Sequence, residues 1–140
     1  MSADPGSLLF VYGTLRRDVG APAYRLLARH GTLFDRGHVP GLLFDVGRYP
    51  ALRLGAGPGE RVAGEVHVLR APRWALAGLD RYEGVAGGAG QYRRVRVAVA
   101  TRAHGRVKAW VYEYLGDTSR LALVASGDYA RHCAGRRIGH

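Results

Sequence analysis

Apolar positions in the first half of the chain follow strand-like patterns. Residues 8–12, Leu-Leu-Phe-Val-Tyr, form a continuous apolar run that stops at Gly13, which is typical of a buried strand. Beyond residue 31, short β-prone runs alternate with Gly and Pro. These runs cover residues 32–34, 41–44, 51–54 and 62–69. This rhythm predicts several short strands in a curled sheet or barrel.

The spacing of apolar residues becomes typical of a helix at two places. Pro22 suits the first turn of one helix, which Gly31 ends. A second helix is predicted over 72–82, where apolar residues recur on one face before a glycine-rich segment. Near the end of the chain, Ser126 or Asp128 is suited to cap a short final helix.

Strand patterns resume at residue 92. Over 92–100 the side chains alternate, with valines on one face and arginines on the other, and His104-Gly105 marks a turn before a partner strand over 107–115. Helices are few and scattered among strands. The sequence therefore predicts an α+β fold: a small, mainly antiparallel β-barrel flanked by a few helices.

Length and composition fit one small globular domain. A chain of 140 residues leaves no room for a second domain of ordinary size. Its apolar fraction of 47% and charged fraction of 23% are ordinary for a globular protein. We expect a single domain over residues 1–140, with its core at about 8–129 and a short basic C-terminal tail.

The sequence predicts neither membrane insertion nor export. No apolar run approaches the roughly 18 residues that a membrane helix needs, and residues 1–6 contain no basic patch leading into an apolar stretch. Cys133 is the only cysteine, which excludes an intrachain disulfide and a zinc site built from several thiolates. We therefore expect a cytoplasmic protein with no membrane partner.

The charge balance is strongly basic. Lys and Arg total 21 against 11 Asp and Glu, for a formal net charge of +10. This balance can mark a nucleic-acid-binding protein. However, Lys108 is the only lysine, and the arginines are spread along the chain among many Gly and Ala, which indicates coding bias. A binding surface more often has clustered charges with stacking aromatics, so we expect no specific nucleic-acid partner.

The segment Tyr12-Gly13-Thr14-Leu15 is the first candidate for chemistry. A strand that ends at a glycine and turns over a hydroxyl residue exposes several backbone N–H groups in one small concavity. Such a nest favours a carboxylate or a developing oxyanion. An ordinary tight turn after a strand has the same spacing, so both interpretations stay open on this pattern alone.

Glu83 is the second candidate. It follows the predicted second helix directly, where the helix macrodipole disfavours negative charge. Partial burial has the same effect, which leaves a carboxyl group able to take and give a proton near neutrality. The alternative is a solvated acid at a helix end.

Other polar residues predict less. By strand alternation Glu65 and Glu113 are expected on solvated faces, and Asp80 is expected to pair with an arginine on the helix surface. The six histidines have no metal-ligand spacing, and no phosphate-binding or dinucleotide motif occurs. We therefore expect no metal and no cofactor.

Several short motifs, in this order along the chain, resemble the γ-glutamylcyclotransferase superfamily. They are Val11–Arg16, Leu43–Leu52, Val62–Val66, Leu79–Gly84, Gln91–Arg94, Ala109–Tyr112 and Ser126–Asp128. The resemblance extends from about Leu8 to Tyr129. The Tyr-Gly-Thr-Leu form of the first motif is most similar to the γ-glutamylamine cyclotransferase-like branch.

The resemblance implies a β-barrel flanked by helices, with a cavity at the barrel mouth. It implies that Tyr12, Gly13, Thr14 and Leu15 hold a γ-glutamyl group, that Glu83 is the catalytic acid/base, and that Tyr92 lines the site. Alternation puts Tyr92 on the same strand face as Arg94 and Arg96. Either that face opens into the cavity, or the preceding loop places Tyr92 independently of the alternation.

The implied activity is cofactor-independent cleavage of a small-molecule γ-glutamyl amide or peptide. The substrate's α-amine attacks its own γ-carbonyl, with Glu83 as general acid/base, and 5-oxoproline and a free amine are released. A catalytically silent small-molecule-binding module of the same fold is the alternative, and a basic nucleic-acid-binding protein is a weaker one. The sequence predicts neither the leaving amine nor the oligomeric state.

Overall fold

The computed structural model describes residues 7–47, 49–55, 59–82 and 92–138. The strands are Leu8–Val11 (β1), Gly31–Asp45 (β2), Pro50–Leu54 (β3), Arg61–Leu69 (β4), Tyr92–Thr101 (β5), Arg106–Tyr114 (β6) and Ala122–Leu123 (β7). The helices are Tyr24–Ala28 (α1), Pro72–Tyr82 (α2) and Tyr129–Ile138 (α3), and a short 3₁₀ turn covers Arg17–Val19.

Five of the strands close into a mixed barrel. The hydrogen-bonded order is β2–β4–β1–β6–β5, and a short pairing between β5 and β2 closes the ring. The β1–β6 pair is parallel, and the other four pairs in the ring are antiparallel. Closure pairs the strand edges that would otherwise be open to other chains. The predicted α+β fold, a mainly antiparallel barrel with flanking helices, is confirmed.

β2 differs from the prediction because it is one long strand. It runs for 15 residues, through the Gly and Pro positions that predicted a break. Its first part pairs with β4 and its last part with β3, so one continuous strand has different partners along its length. A register shift between Leu33 and Asp35 marks a β-bulge within the part of β2 that pairs with β4, where the strand bends.

β1 is buried on both faces. Leu8, Phe10 and Tyr12 belong to an inner core together with inward-facing residues of the other barrel strands. Leu9 and Val11 belong to a second, outer core between the barrel and the helices α1 and α2. Because both faces are covered, β1 has a continuous apolar sequence instead of an alternating one.

The helices lie close to their predicted positions. α2 has the predicted bounds, and its apolar face packs on the outer core. α3 follows Asp128, whose carboxylate accepts a hydrogen bond from the Arg131 amide at 3.3 Å. It continues to Ile138. Among the described residues, no helix is long and apolar enough to span a membrane.

The close approach of β4 to β1 leads to a stability prediction. A Cβ atom at Gly64 would overlap the Val11 carbonyl oxygen and lie 2.6 Å from a carbon of the Phe10 ring. Neither neighbour can move without disturbing the ladder or the inner core. Gly64→Ala is therefore expected to lower the free energy of unfolding by about 1–3 kcal/mol, measured by urea denaturation.

Gly78→Ala is the matched control. A Cβ at this position in α2 would meet nothing within 4 Å, and alanine favours a helix over glycine by about 1 kcal/mol. The same substitution should therefore stabilise the protein at one position and destabilise it at the other. Equal stability of the two variants would contradict the close approach of β4 and β1.

Candidate functional site

The turn after β1 carries the first predicted motif. The Arg16 amide donates to the Gly13 carbonyl oxygen at 2.9 Å, so the chain reverses across Thr14. Gly13 and Leu15 are buried, and Thr14 is half-buried. Among the described residues, the amides of Gly13 and Leu15 donate no hydrogen bond. Two backbone donors of this turn are therefore available to a ligand.

Pro50, at the start of β3, brings this turn together with Tyr92. A Cβ atom at Gly13 would overlap Cγ of Pro50 and lie 2.6 Å from its Cδ, so only glycine fits. The Tyr92 hydroxyl donates to the Pro50 carbonyl oxygen at 2.9 Å. Gly13 and Tyr92 thus contact the same residue from two sides, although they are far apart in sequence.

The position of Tyr92 is set by the pairing of β5 with β6. It is the first residue of β5 and pairs in regular register with Tyr114. Its ring centroid lies 5.3 Å from that of Tyr114, edge-on, and 6.1 Å from that of Tyr49. Placement of Tyr92 by the loop, independently of the strand alternation, is therefore wrong. The face it shares with Arg94 is turned toward the outer core.

Asp80 connects α2 to the barrel. Its Oδ1 accepts hydrogen bonds from the Tyr112 hydroxyl at 2.7 Å and from Arg94 Nε at 2.8 Å. The predicted pairing with an arginine is correct, but the arginine lies on β5 and the contact is between helix and barrel, with the Asp80 side chain 17% exposed. The Arg94 guanidinium also lies 4.4 Å from the Trp110 ring centroid, a cation–π contact.

Tyr112 extends this connection to the first motif. Its backbone carbonyl oxygen accepts a hydrogen bond from the Tyr12 hydroxyl, while its own hydroxyl donates to Asp80. A continuous path of contacts therefore runs from the first motif, through β6, to the last turns of α2. In sequence, Asp80 precedes Glu83 by three residues.

Glu83 lies outside the described residues, so its predicted place and role stay predictions. α2 is described up to Tyr82, the residue before it. Of the predicted site residues, the structure places Tyr12, Gly13, Thr14 and Leu15 in and beside one turn, with Tyr92 next to it through Pro50. Sequence reasoning missed Pro50 and Tyr112, whose contacts to the site come from remote parts of the chain.

Arg16, directly after the motif, is a buried cation that the sequence analysis did not single out. Its side chain is 5% exposed and binds Asp18 at 2.6 Å and Asp128 at 2.9 Å. Burial opposes its charge, but the hydrogen bonds and charges of Asp18 and Asp128 outweigh burial and raise the pKa of Arg16. The sequence signal that could have identified this cluster is an arginine placed directly after a buried strand. When such an arginine is buried, its charge requires carboxylate partners.

Glu65 and His67 on β4 are also buried, contrary to the predicted solvated face for Glu65. They are 1% and 0% exposed. Glu65 accepts hydrogen bonds from the Arg17 amide at 2.6 Å and the Asp18 amide at 3.3 Å, and its Oε1 lies 3.0 Å from Nε2 of His67. Alternation gave the correct strand face, but the 3₁₀ turn and α1 cover that face.

Glu113 on β6 is a second acid for which the predicted solvated face is wrong. It is 7% exposed. It accepts a hydrogen bond from the Leu54 amide at 2.9 Å and pairs with Arg93 at 2.8 Å. Its strand face is covered because the last residues of β3, Arg53 and Leu54, bind Tyr114 and Glu113 of β6 here.

The buried Arg16 cluster leads to a pH prediction. Burial favours the neutral form of Asp18, but the hydrogen bond and charge of Arg16 outweigh it and lower the pKa of Asp18 below its usual value. The folded state therefore binds this proton less readily than the unfolded state. The resulting stabilisation is complete above the unfolded pKa of about 4 and is lost as the pH falls through the lower folded pKa.

Asp18→Asn removes the charge and keeps the shape. The stability difference between wild type and this variant should be constant at neutral pH and shrink below about pH 4, measured by urea denaturation across the acid range. A difference that stays unchanged down to about pH 2 would contradict the ion pair.

Comparisons with known proteins bear on the family and the fold of this chain. A family model described as "gamma-glutamyl cyclotransferase, AIG2-like" matches residues 9–131. No curated protein matches the sequence. The solved structure of YkqA from Bacillus subtilis is similar, with a TM-score of 0.74, 25% identity and 96% coverage of this chain, which spans only 43% of YkqA.

Two further structures share the fold. An AIG2-like protein from Mus musculus has a TM-score of 0.72 and 25% identity, covering 88% of this chain and 87% of its own. A protein described as gamma-glutamyl cyclotransferase has a TM-score of 0.58 and 21% identity, covering 83% of this chain and 68% of its own. The family match extends from β1 into α3 and includes the whole barrel. This chain therefore belongs to the gamma-glutamyl cyclotransferase, AIG2-like family.

Proposed function

We propose that this protein is a cofactor-independent cyclotransferase that cleaves a small γ-glutamyl amide or peptide into 5-oxoproline and a free amine. The observation that carries the proposal is the turn at Gly13, where the amides of Gly13 and Leu15 have no partner among the described residues and Pro50 leaves no room for a side chain at Gly13. Fixed amides of this kind suit a carboxylate or a developing oxyanion. Membership of the family supports the class of reaction.

In the proposed reaction the substrate provides its own nucleophile. Glu83 takes a proton from the α-ammonium group, and the resulting amine attacks the γ-carbonyl carbon. This closes a five-membered ring and puts negative charge on the carbonyl oxygen, where a turn amide would contribute about 3 kcal/mol of stabilisation. The bond to the leaving amine then breaks as Glu83 returns the proton to that nitrogen.

Because the attack is intramolecular, the main requirement is to hold the substrate in a folded, near-attack conformation. A rigid turn meets this requirement better than a mobile loop. The contact of Gly13 with Pro50 and the hydrogen bond from the Tyr12 hydroxyl to the Tyr112 carbonyl fix the turn on β3 and β6. Both contacts support the first motif as the γ-glutamyl-binding element.

The contacts of Asp80 support Glu83 as the acid/base. They hold the last turns of α2 on β5 and β6, and the chain reaches Glu83 directly after that helix. Tyr112 binds Asp80 through its hydroxyl and Tyr12 through its carbonyl oxygen. One strand therefore anchors both the turn and the helix that precedes the proposed acid/base.

Glu83→Gln tests the acid/base directly. This variant should keep its fold and bind substrate but lower kcat by about 10²–10⁴-fold, because glutamine cannot transfer the proton. The measurement is 5-oxoproline release from a panel of γ-glutamyl amino acids, γ-glutamyl amines and γ-glutamyl-lysine isopeptide. Glu60→Gln, at an exposed glutamate away from the motif, is the matched control and should keep full activity.

The panel separates the alternatives. Undiminished turnover by Glu83→Gln would end the assignment of Glu83. Binding of a γ-glutamyl analogue by the wild type, without turnover of any panel member, would favour the catalytically silent binding module.

Tyr112→Phe tests the connection between turn and helix. It removes the hydroxyl that binds Asp80 and keeps the carbonyl that accepts from Tyr12. We expect kcat to fall by about tenfold, the equivalent of one lost hydrogen bond of about 1.4 kcal/mol. Tyr114→Phe is the control, since the Tyr114 hydroxyl donates no hydrogen bond among the described residues. Equal kcat values for the two variants would contradict the connection.

A further inference from the structure

We propose that Glu65, supported by His67, is the positioning residue of the γ-glutamyl-binding turn. Resting on the proposed function above, this inference assigns Glu65 the task of fixing the directions of the Gly13 and Leu15 amides. Glu65 does so through its contacts with the residues on either side of the turn, without contact with substrate.

The side chain of Glu65 holds the downstream end of the turn. It accepts hydrogen bonds from the amides of Arg17 and Asp18, at 2.6 Å and 3.3 Å. These are the first amides of the 3₁₀ turn, and the amides at a helix start have no partner within the helix. Arg16, at the N-cap position, makes no side-chain capping bond. Glu65 supplies the missing acceptor from a remote strand.

The backbone of Glu65 holds the upstream end. In the β1–β4 ladder, Glu65 pairs with Val11, the last residue of β1. Residues 12–16, which contain the whole first motif, therefore lie between two points that are both fixed by Glu65. With its ends fixed and Gly13 pressed against Pro50, the turn has little freedom to rotate its amides.

The burial of His67 is explained by its contact with Glu65. The imidazole is 0% exposed, and its Nδ1 has no hydrogen-bond partner among the described residues. An unsatisfied buried nitrogen is unfavourable. The other nitrogen, Nε2, lies 3.0 Å from Oε1 of Glu65. The Tyr24 ring packs beside the imidazole, with 6.2 Å between the two ring centroids. His67 thus fixes the carboxylate that fixes the turn.

Two substitutions at Glu65 separate its two bonds to the turn amides. Glu65→Gln keeps one oxygen acceptor but presents an NH₂ group to the second amide, so one bond is lost. Glu65→Ala loses both. We expect kcat to fall about tenfold for Gln and about hundredfold for Ala, with KM changed by less than about threefold, because the oxyanion exists only in the transition state.

Asp35→Asn is the matched control. Asp35 also accepts two backbone amides, from Arg36 at 2.7 Å and Ala103 at 2.8 Å, and a histidine nitrogen, Nδ1 of His104, at 2.9 Å. Its side chain is 9% exposed, but it holds the turn between β5 and β6 and not the first motif. The Asp35→Asn variant should lose stability as the Glu65 variants do, but its kcat should stay within about twofold of the wild-type value.

A second readout does not depend on activity. Hydrogen exchange at the amides of residues 13–18 should become faster in the Glu65 variants and stay unchanged in Asp35→Asn. His67→Phe, which keeps an aromatic ring and removes the bond to Glu65, should show a smaller change in the same direction. Wild-type kcat in Glu65→Ala, or unchanged exchange at residues 13–18, would overturn the proposal.

Failure of the proposed function would be recognised separately. If the wild type releases no 5-oxoproline from any panel member, the cyclotransferase proposal fails and the Glu65 proposal is tested by hydrogen exchange alone. Faster exchange at residues 13–18 in Glu65→Ala, with no change in Asp35→Asn, would support the positioning role. Equal exchange at these residues in Glu65→Ala and wild type would overturn it.

Discussion

Burial of β1 on both faces is the constraint on which the rest of the structure depends. Its inward side chains complete the barrel interior, and its outward side chains require α1 and α2 as a cover. Because β1 lies between β4 and β6, the turn at Gly13 that follows it lies next to both of these strands. The turn that follows can therefore be fixed from β6 through Tyr12 and from β4 through Glu65. The proposed binding turn is thus held by the same strands that form the core.

Much of the fold could be predicted because its signals are local. The continuous apolar run of β1 and the helical period of α2 depend on a few neighbouring residues, and both elements lie where these patterns placed them. Alternation also assigned Glu65 to the correct face of β4. It could not show that the face is covered, because the cover is the 3₁₀ turn and α1, which come from another part of the chain. A period of two distinguishes faces and says nothing about what packs on them.

The candidate site, too, could be predicted only in part from the sequence. Its motif residues were named from a family resemblance, whereas their connections depend on tertiary contacts with Pro50, Tyr112 and Asp80 that no spacing encodes. The high arginine content is also explained in part by ion pairs within the fold. Arg16, Arg93 and Arg94 each bind a carboxylate within the fold, so several arginines form ion pairs with acids of this chain.

The parallel pairing of β1 with β6 has a consequence for folding. The first strand of the barrel can gain this neighbour only after nearly the whole chain is present, and contacts between such distant segments form slowly. The hydroxyl of Tyr12 finds its acceptor, the Tyr112 carbonyl, in the same event. A nascent or truncated chain that ends before β6 would therefore have the motif without the support that shapes it. The β1–β6 pairing and the Tyr12–Tyr112 contact that supports the proposed binding turn are therefore expected to form together.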